Sequence, residues 1–384
     1  MSGDDCLSTP TPLDRRTAAH DSDSAGDGVR IAAVGHAFPP HFYDQDTLIA
    51  AFRELWGKRH YNLDRLERLH RNVLVGGRHL ALPVEEYARL DTWGKANDAW
   101  IRVAQETGEA AVRAALDKAG LAPGDVDALY TVTVTGVATP SLDARLVNRL
   151  QLRPDVKRVP IFGLGCLAGA AGVARAADYL AGHREEVAVL LSVELCSLTL
   201  QPEDLSIPNL IASGLFGDGA AAVVMVGSER AAGSAGPEST GPEVLASRSA
   251  FYYDTERVMG WDISERGFQV VLSAEVPEMV RRHLRGDVDA FLAAEGLGRG
   301  DLASWVAHPG GPKVLEAMQE ELELPRDALA LTWRSLQEVG NLSSTSVLLV
   351  LEETLEGHRP APGSLGLLLA MGPGFCSELV LLRW

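Results

Sequence analysis

Short apolar runs alternate with amphipathic stretches along most of the chain. Residues 29–37 (VRIAAVGHA) open with the apolar alternation of a strand. Residues 128–134, 159–162, 186–193 and 220–226 are apolar or β-branched runs of strand length. Residues 46–56, 97–120, 140–150 and 209–216 read as helices between them, and Gly120 is a natural C-terminal cap. In residues 62–78, Leu63, Leu66, Leu69 and Val73 recur at helical spacing. Residues 227–243 (GSERAAGSAGPESTGPE) are rich in Gly, Ser and Pro, the composition of a connector. The alternation then restarts. Residues 244–250 predict a strand, 270–293 helices, 305–307 a strand, and 313–322 and 344–355 helices. Residues 365–371 and 378–382 are closing strands around Gly372-Pro373-Gly374. Strand–helix alternation on both sides of the connector predicts an α/β protein with largely buried sheets. The expected organisation is a disordered tail over residues 1–28, one half over 29–243 and a second over 244–384.

One stretch combines both periods. Residues 159–162 end in Gly163-Leu164-Gly165, then Cys166, then an Ala/Gly-rich run that continues as a helix to Leu180. A strand turning into a helix with Cys166 at its head places the thiol at the positive end of the helix dipole, which lowers a thiol pKa. A structural cysteine is the alternative, because free cysteines are among the most buried residues.

Composition narrows the field. The 384 residues carry a net charge of -17, which argues against a nucleic-acid partner. Four cysteines (Cys6, Cys166, Cys196 and Cys376) and ten scattered histidines show no metal-ligand spacing. A reduced, cytoplasmic setting is the simplest account. No apolar run is long enough to span a bilayer, and the first residues lack the apolar core of a signal peptide. Within this acidic chain Arg65, Arg68 and Arg71, with Arg78 beyond the glycines, form a basic cluster that is either a solvated helix face or a phosphate site.

Two further residues occupy places like that of Cys166. His308 follows the run ending at Ala307, and Asn341 follows Gly340 ahead of a helix. Chemistry in α/β proteins collects at strand carboxyl ends. A thiol, an imidazole to take its proton and an amide to donate to an oxyanion are the parts of an acyl-transfer site.

The segments GLGCLAGAAG, GLFGDGAAAVVMV, AHPGGPKVLEAM, GNLSSTSVLLVLEE and AMGPGFCSELVLLRW, in this order over residues 29–384, resemble the type III polyketide synthases, the chalcone-synthase-like family of the thiolase fold. The resemblance implies two similar halves in a layered αβαβα core and a homodimer. It implies CoA thioesters as substrates and no further cofactor. Cys166 would carry the starter acyl group and the growing chain. His308 and Asn341 would bind malonyl-CoA and stabilise the enolate left by decarboxylation. Phe216 would gate the cavity, and Gly372, Pro373 and Gly374 would shape its floor. Arg65 and Arg68 match basic residues that bind CoA phosphates in the family. The third match, Asn72, is not basic, and Arg71 is the candidate substitute. Thr135, Cys196 and Trp261 would line the cavity, and Thr139 belongs to the loop that reaches the partner subunit.

Cys196 and the segments RHLALPVEEY and FYYDTERVMGWDI resemble bacterial members that take long-chain acyl-CoA starters. The leading expectation is therefore a long-chain starter extended by malonyl-CoA to an alkylpyrone or alkylresorcinol. The alternatives are a malonyl-CoA-primed synthase with a tetrahydroxynaphthalene-type product and an initiating ketoacyl-ACP synthase. His308-Pro309-Gly310-Gly311-Pro312 departs from the histidine segment of the last class.

Overall fold

The computed structural model describes residues 28–57 and 62–384, so the expected tail lies, but for Gly28, outside the described residues. The first half runs β1 (Arg30–Ala37), β2 (His41–Asp44), α1 (Gln45–Trp56), α2 (Leu63–Asn72), β3 (Gly77–Leu80), α3 (Trp93–Ala119), β4 (Ala128–Thr133), α4 (Leu142–Leu150), β5 (Lys157–Phe162), α5 (Ala168–Gly182), β6 (Val187–Leu195), α6 (Ile207–Leu215), β7 (Asp218–Val226) and α7 (Ser228–Gly233). The second half runs β8 (Glu243–Phe251), β9 (Met259–Ser264), β10 (Gly267–Leu272), α8 (Val276–Ala294), β11 (Leu302–Ala307), α9 (Pro312–Leu322), α10 (Ala330–Val339), α11 (Ser346–Gly357), β12 (Leu365–Gly372) and β13 (Cys376–Arg383).

The two halves repeat one topology. In the first, β1, β7, β6 and β4 lie side by side, antiparallel, antiparallel, then parallel, with β5 added in parallel at the edge. In the second, β8, β13, β12 and β11 follow the same sequence of directions. The half-sheets are joined edge to edge where Arg30 of β1 pairs with Glu243 of β8, flanked by Ile31 N donating to Pro242 O and Val244 N donating to Val29 O. Strands buried on both faces explain the unbroken apolar runs, since β6 and β7 are buried at every residue.

Three cores set the layers. One joins α3 and α4 to the outer face of the first half-sheet. A second joins α8 and α9 to the outer face of the second. The third, between them, holds α5 and α11 against inner residues of both half-sheets, among them Tyr130, Leu190, Leu368 and Val380. This is an αβαβα sandwich, the thiolase fold, as the motifs imply. α5 fits between two sheets because its buried face is almost all Ala and Gly. At Gly169 a Cβ would stand 2.3 Å from the carbonyl oxygen of Ser344, so the head of α5 presses directly on the chain entering α11.

Local signals set several boundaries. Thr92 caps α3 by accepting from Lys95 N, and Gly120 ends it at φ 71°. The helix expected over residues 62–78 stops at Asn72. Leu74 turns at φ 58°, and Gly77–Leu80 instead pairs with β2. The helix expected from residue 270 starts at Val276; residues 267–272 form β10, hairpin partner of β9. A short apolar run such as Val270-Val271-Leu272 suits either element, and pairing with β9 decides it. Among the described residues no helix is long and apolar enough to cross a membrane.

Candidate active site

The ends of β5 and β11 and the heads of α5 and α11 converge on one cavity of about 480 Å³. Cys166 sits in the single turn Gly165–Leu167 between β5 and α5. His308 follows β11, and its backbone N–H donates to Leu369 O at 3.0 Å. Asn341 lies between α10 and α11 and bridges to Phe216, the residue that ends α6. All four side chains line the cavity.

The Asn341 amide is held in one orientation. Its Oδ1 accepts from Ser343 N at 2.8 Å, and its Nδ2 donates to Gly310 O at 3.3 Å. The second Nδ2 hydrogen is left over as a donor. Ser343 adopts φ 50°, a left-handed conformation that costs a non-glycine residue energy. That strain places its N–H on Asn341 and its side chain beside Cys166. Both ring nitrogens of His308 are buried and have no hydrogen-bond partner among the described residues.

Burial dominates the electrostatics. It pushes the Cys166 thiol up to about 12, against the lowering expected from its place at the head of a helix; the Ser343 side chain opposes the rise and Glu194 adds to it. Burial alone pushes the His308 imidazole down to about 3. Burial thus works against either charge taken alone, whereas proton transfer from Cys166 to His308 creates two opposite charges that compensate one another.

The remaining sequence candidates divide. Cys196, Trp261 and Pro373 line the cavity, whereas Gly372 and Gly374 lie beside it. A Cβ at Gly372 would stand 2.8 Å from Leu164 O, so that strand end braces the cysteine turn. Thr135 lies behind the wall, where its hydroxyl donates to Glu194 at 2.9 Å. Thr139 is exposed on the loop before α4. Arg65 and Arg68 are exposed on α2, at helical spacing from Leu69 and Asn72, which reach the cavity mouth. Arg71 does not: it is paired with Asp46 at 2.9 Å and with Glu67 at 3.0 Å. The Asp46 carboxylate comes from α1, and the pair it makes with Arg71 is solvent-exposed and therefore weak.

Two residues emerge only in the structure. Glu194 is fully buried near the end of β6 and accepts from Val134 N, Thr135 and Ser344. Burial pushes its carboxyl up to about 7. The one sequence signal was a carboxylate closing an apolar strand. Lys313 is exposed at the mouth and is the only formally charged side chain among the described residues that line the cavity. It stands on the first turn of α9, five positions past His308.

The comparisons with known proteins agree with this geometry. The sequence is 54% identical to a 1,3,6,8-tetrahydroxynaphthalene synthase of Streptomyces peucetius subsp. caesius, covering 93% of each chain. It is 33% identical to a 3,5-dihydroxyphenylacetyl-CoA synthase of Streptomyces toyocaensis, covering 92% of this chain and 90% of that one. The crystal structure of 1,3,6,8-tetrahydroxynaphthalene synthase from Streptomyces coelicolor A3(2) superposes with a TM-score of 0.86 at 30% identity, covering 92% of this chain and 99% of that chain. The models of the chalcone and stilbene synthases match here in both parts, the N-terminal domain over residues 16–230 and the C-terminal domain over residues 243–384. The chain thus belongs to the chalcone and stilbene synthase family and is a type III polyketide synthase that joins CoA thioesters by decarboxylating condensation.

Proposed function

We propose that malonyl-CoA serves here as both starter and extender, and that the product is of the tetrahydroxynaphthalene type. The observation that carries this is the 54% identity to a tetrahydroxynaphthalene synthase over 93% of both chains. It moves the preference from the long-chain starter to the malonyl-primed alternative. One observation favours a second reading with a longer acyl starter: the buried apolar side chains of Val276, Val280 and Met318 also line the cavity.

The chemistry follows from the site. Cys166 sulfur adds to the carbonyl of the incoming thioester as its proton passes to His308. The carbon–sulfur bond to CoA breaks, and the proton leaves with CoA as its thiol. A second malonyl-CoA then places its thioester oxygen against the free Asn341 Nδ2 hydrogen and a His308 N–H. Loss of carbon dioxide leaves an enolate whose oxygen these donors stabilise. The enolate carbon attacks the Cys166 thioester and forms the new carbon–carbon bond, the Cys166 sulfur is displaced as thiolate, and the lengthened chain, now a CoA thioester, passes back to Cys166 with release of CoA before the next round. A neutral His308 suits the second step, because an imidazole can donate a hydrogen bond without being charged.

The anionic end of CoA needs cations, and among the described residues the cavity lining offers one, Lys313. Lys313, with Arg65 and Arg68 leading away along α2, supplies them at the mouth. A cation at the malonyl carboxylate would stabilise the anion that must leave as carbon dioxide, so Lys313 suits the phosphates better.

A homodimer is the expected assembly. β5 is an edge strand with alternate residues exposed, ending in Phe162 at 47% exposure. An unpaired edge of this kind invites a second copy. Light scattering is expected to return twice the chain mass, and a monomer mass would refute the assembly.

Two further outcomes are expected. Purified enzyme given malonyl-CoA alone should form an aromatic pentaketide, identified by mass spectrometry; product that appears only when a fatty acyl-CoA is added would establish the second reading instead. Lys313→Ala should raise KM for malonyl-CoA about fivefold while leaving use of malonyl-N-acetylcysteamine, which has no phosphates, unchanged. An equal rise for both substrates would remove Lys313 from phosphate binding.

A further inference from the structure

Asn341 owes its aim to main-chain pairing. Its N–H donates to Leu215 O at 3.0 Å, and its carbonyl accepts from Gly217 N at 3.0 Å. The gating aromatic Phe216 and the amide donor Asn341 therefore form one bridged unit. Behind this unit lies Arg78 of β3. A Cβ on Gly340 would stand 3.3 Å from Arg78 Cγ and Cδ, and one on Gly217 would stand 3.4 Å from Arg78 Cβ. The aliphatic stem of Arg78 thus underlies both glycine peptides of the bridge. The approach is fixed one step earlier, where Gly76 N donates to Gln337 O of α10 at 2.7 Å.

The head of Arg78 is harder to account for by packing. The residue is 1% exposed, and its Nε and Nη1 have no hydrogen-bond partner among the described residues. Burying a cation with unmet donors costs stability that a methionine of similar length would not. Its charged neighbour is Asp218, also fully buried, with Tyr87, Cys196 and His70 around them. Asp218 follows Gly217 and accepts from Ala81 N at 2.6 Å, from Ser197 N at 2.8 Å and from the Ser197 hydroxyl. The pair therefore joins β3, the bridge and the turn carrying Cys196. Burial lowers the guanidinium only to about 10, so it stays charged at neutral pH. Arg78 is absent from the cavity wall.

We propose that Arg78 is a positioning residue for the decarboxylation step, its stem seating the Gly217 and Gly340 peptides and its buried charge, with Asp218, holding the Phe216–Asn341 bridge so that the Asn341 amide faces the enolate oxygen. The inference rests on the role of Asn341 given above.

The test uses full-length enzyme carrying Cys166→Ala, in which condensation is blocked and release of carbon dioxide from malonyl-CoA reports on His308 and Asn341 alone. Arg78→Met keeps the stem and removes the charge; Arg78→Lys keeps a charge. Arg78→Met is expected to lower kcat for carbon dioxide release about 10²-fold with KM for malonyl-CoA unchanged, as for a donor displaced by about 1 Å. Arg78→Lys is expected to recover most of that loss. Arg78→Gln, also neutral, carries the same expectation as Arg78→Met and replaces it if thermal melting shows that Arg78→Met does not fold. A folded neutral variant with parental kcat would overturn the proposal, as would a loss that appears in KM alone. Asn341→Ala is run beside them: if it releases carbon dioxide at the parental rate, the role of Asn341 itself is wrong.

Discussion

The structure depends on the contact between the heads of α5 and α11. These two helices are the central layer of the sandwich, and both half-sheets pack on them. Their closeness is set by Gly169 against the Ser344 carbonyl, where a side chain has no room. Because the heads meet, Cys166 before α5 and Asn341 and Ser343 before α11 open on the same cavity. His308 arrives from β11 in the second half-sheet. The site is a consequence of repeating one α/β unit and packing the two copies through their central helices, so that each contributes different chemistry at the same seam.

The second constraint is dehydration. The wall is almost wholly apolar, and Lys313 at the mouth is its one formal charge among the described residues. Burial pushes the Cys166 thiol up and the His308 imidazole down, and Glu194 behind them is pushed up to about 7. Such an environment strengthens the attraction between an amide N–H and a developing oxyanion, since no water competes. It also shields reactive ketone intermediates from hydrolysis. The cost is carried beside and behind the wall, in the left-handed Ser343 and the orphaned donors of Arg78.

Much of this could be read from residues alone, for identifiable reasons. Cys166 and His308 were legible because each stands at the end of an apolar strand, where an α/β fold exposes side chains; Asn341, expected at such an end, follows helix α10 instead and was legible only from its motif. The repeated halves were legible because the connector over residues 227–243 interrupts a pattern that then restarts. What was hidden depended on distant partners. Arg71 resembles its neighbours on α2 until Asp46 pairs with it. Arg78 was one more basic residue in a run, yet β3 turns it inward. Residues 270–272 fit helix and strand equally until β9 pairs with them. The helix dipole acting on the thiol is local and readable, whereas the burial that opposes it comes from elements far along the chain.

The central claim is that the carbon chain grows on Cys166 and on no other thiol. Cys196 lines the same cavity and is the natural competitor. Peptide mapping by mass spectrometry of enzyme quenched during turnover with malonyl-CoA tests this directly. The account predicts a thioester-linked adduct on the peptide containing Cys166, with Cys196 and Cys376 unmodified, and no adduct in Cys166→Ala. An adduct on Cys196, or turnover by Cys166→Ala at the native rate, would contradict it.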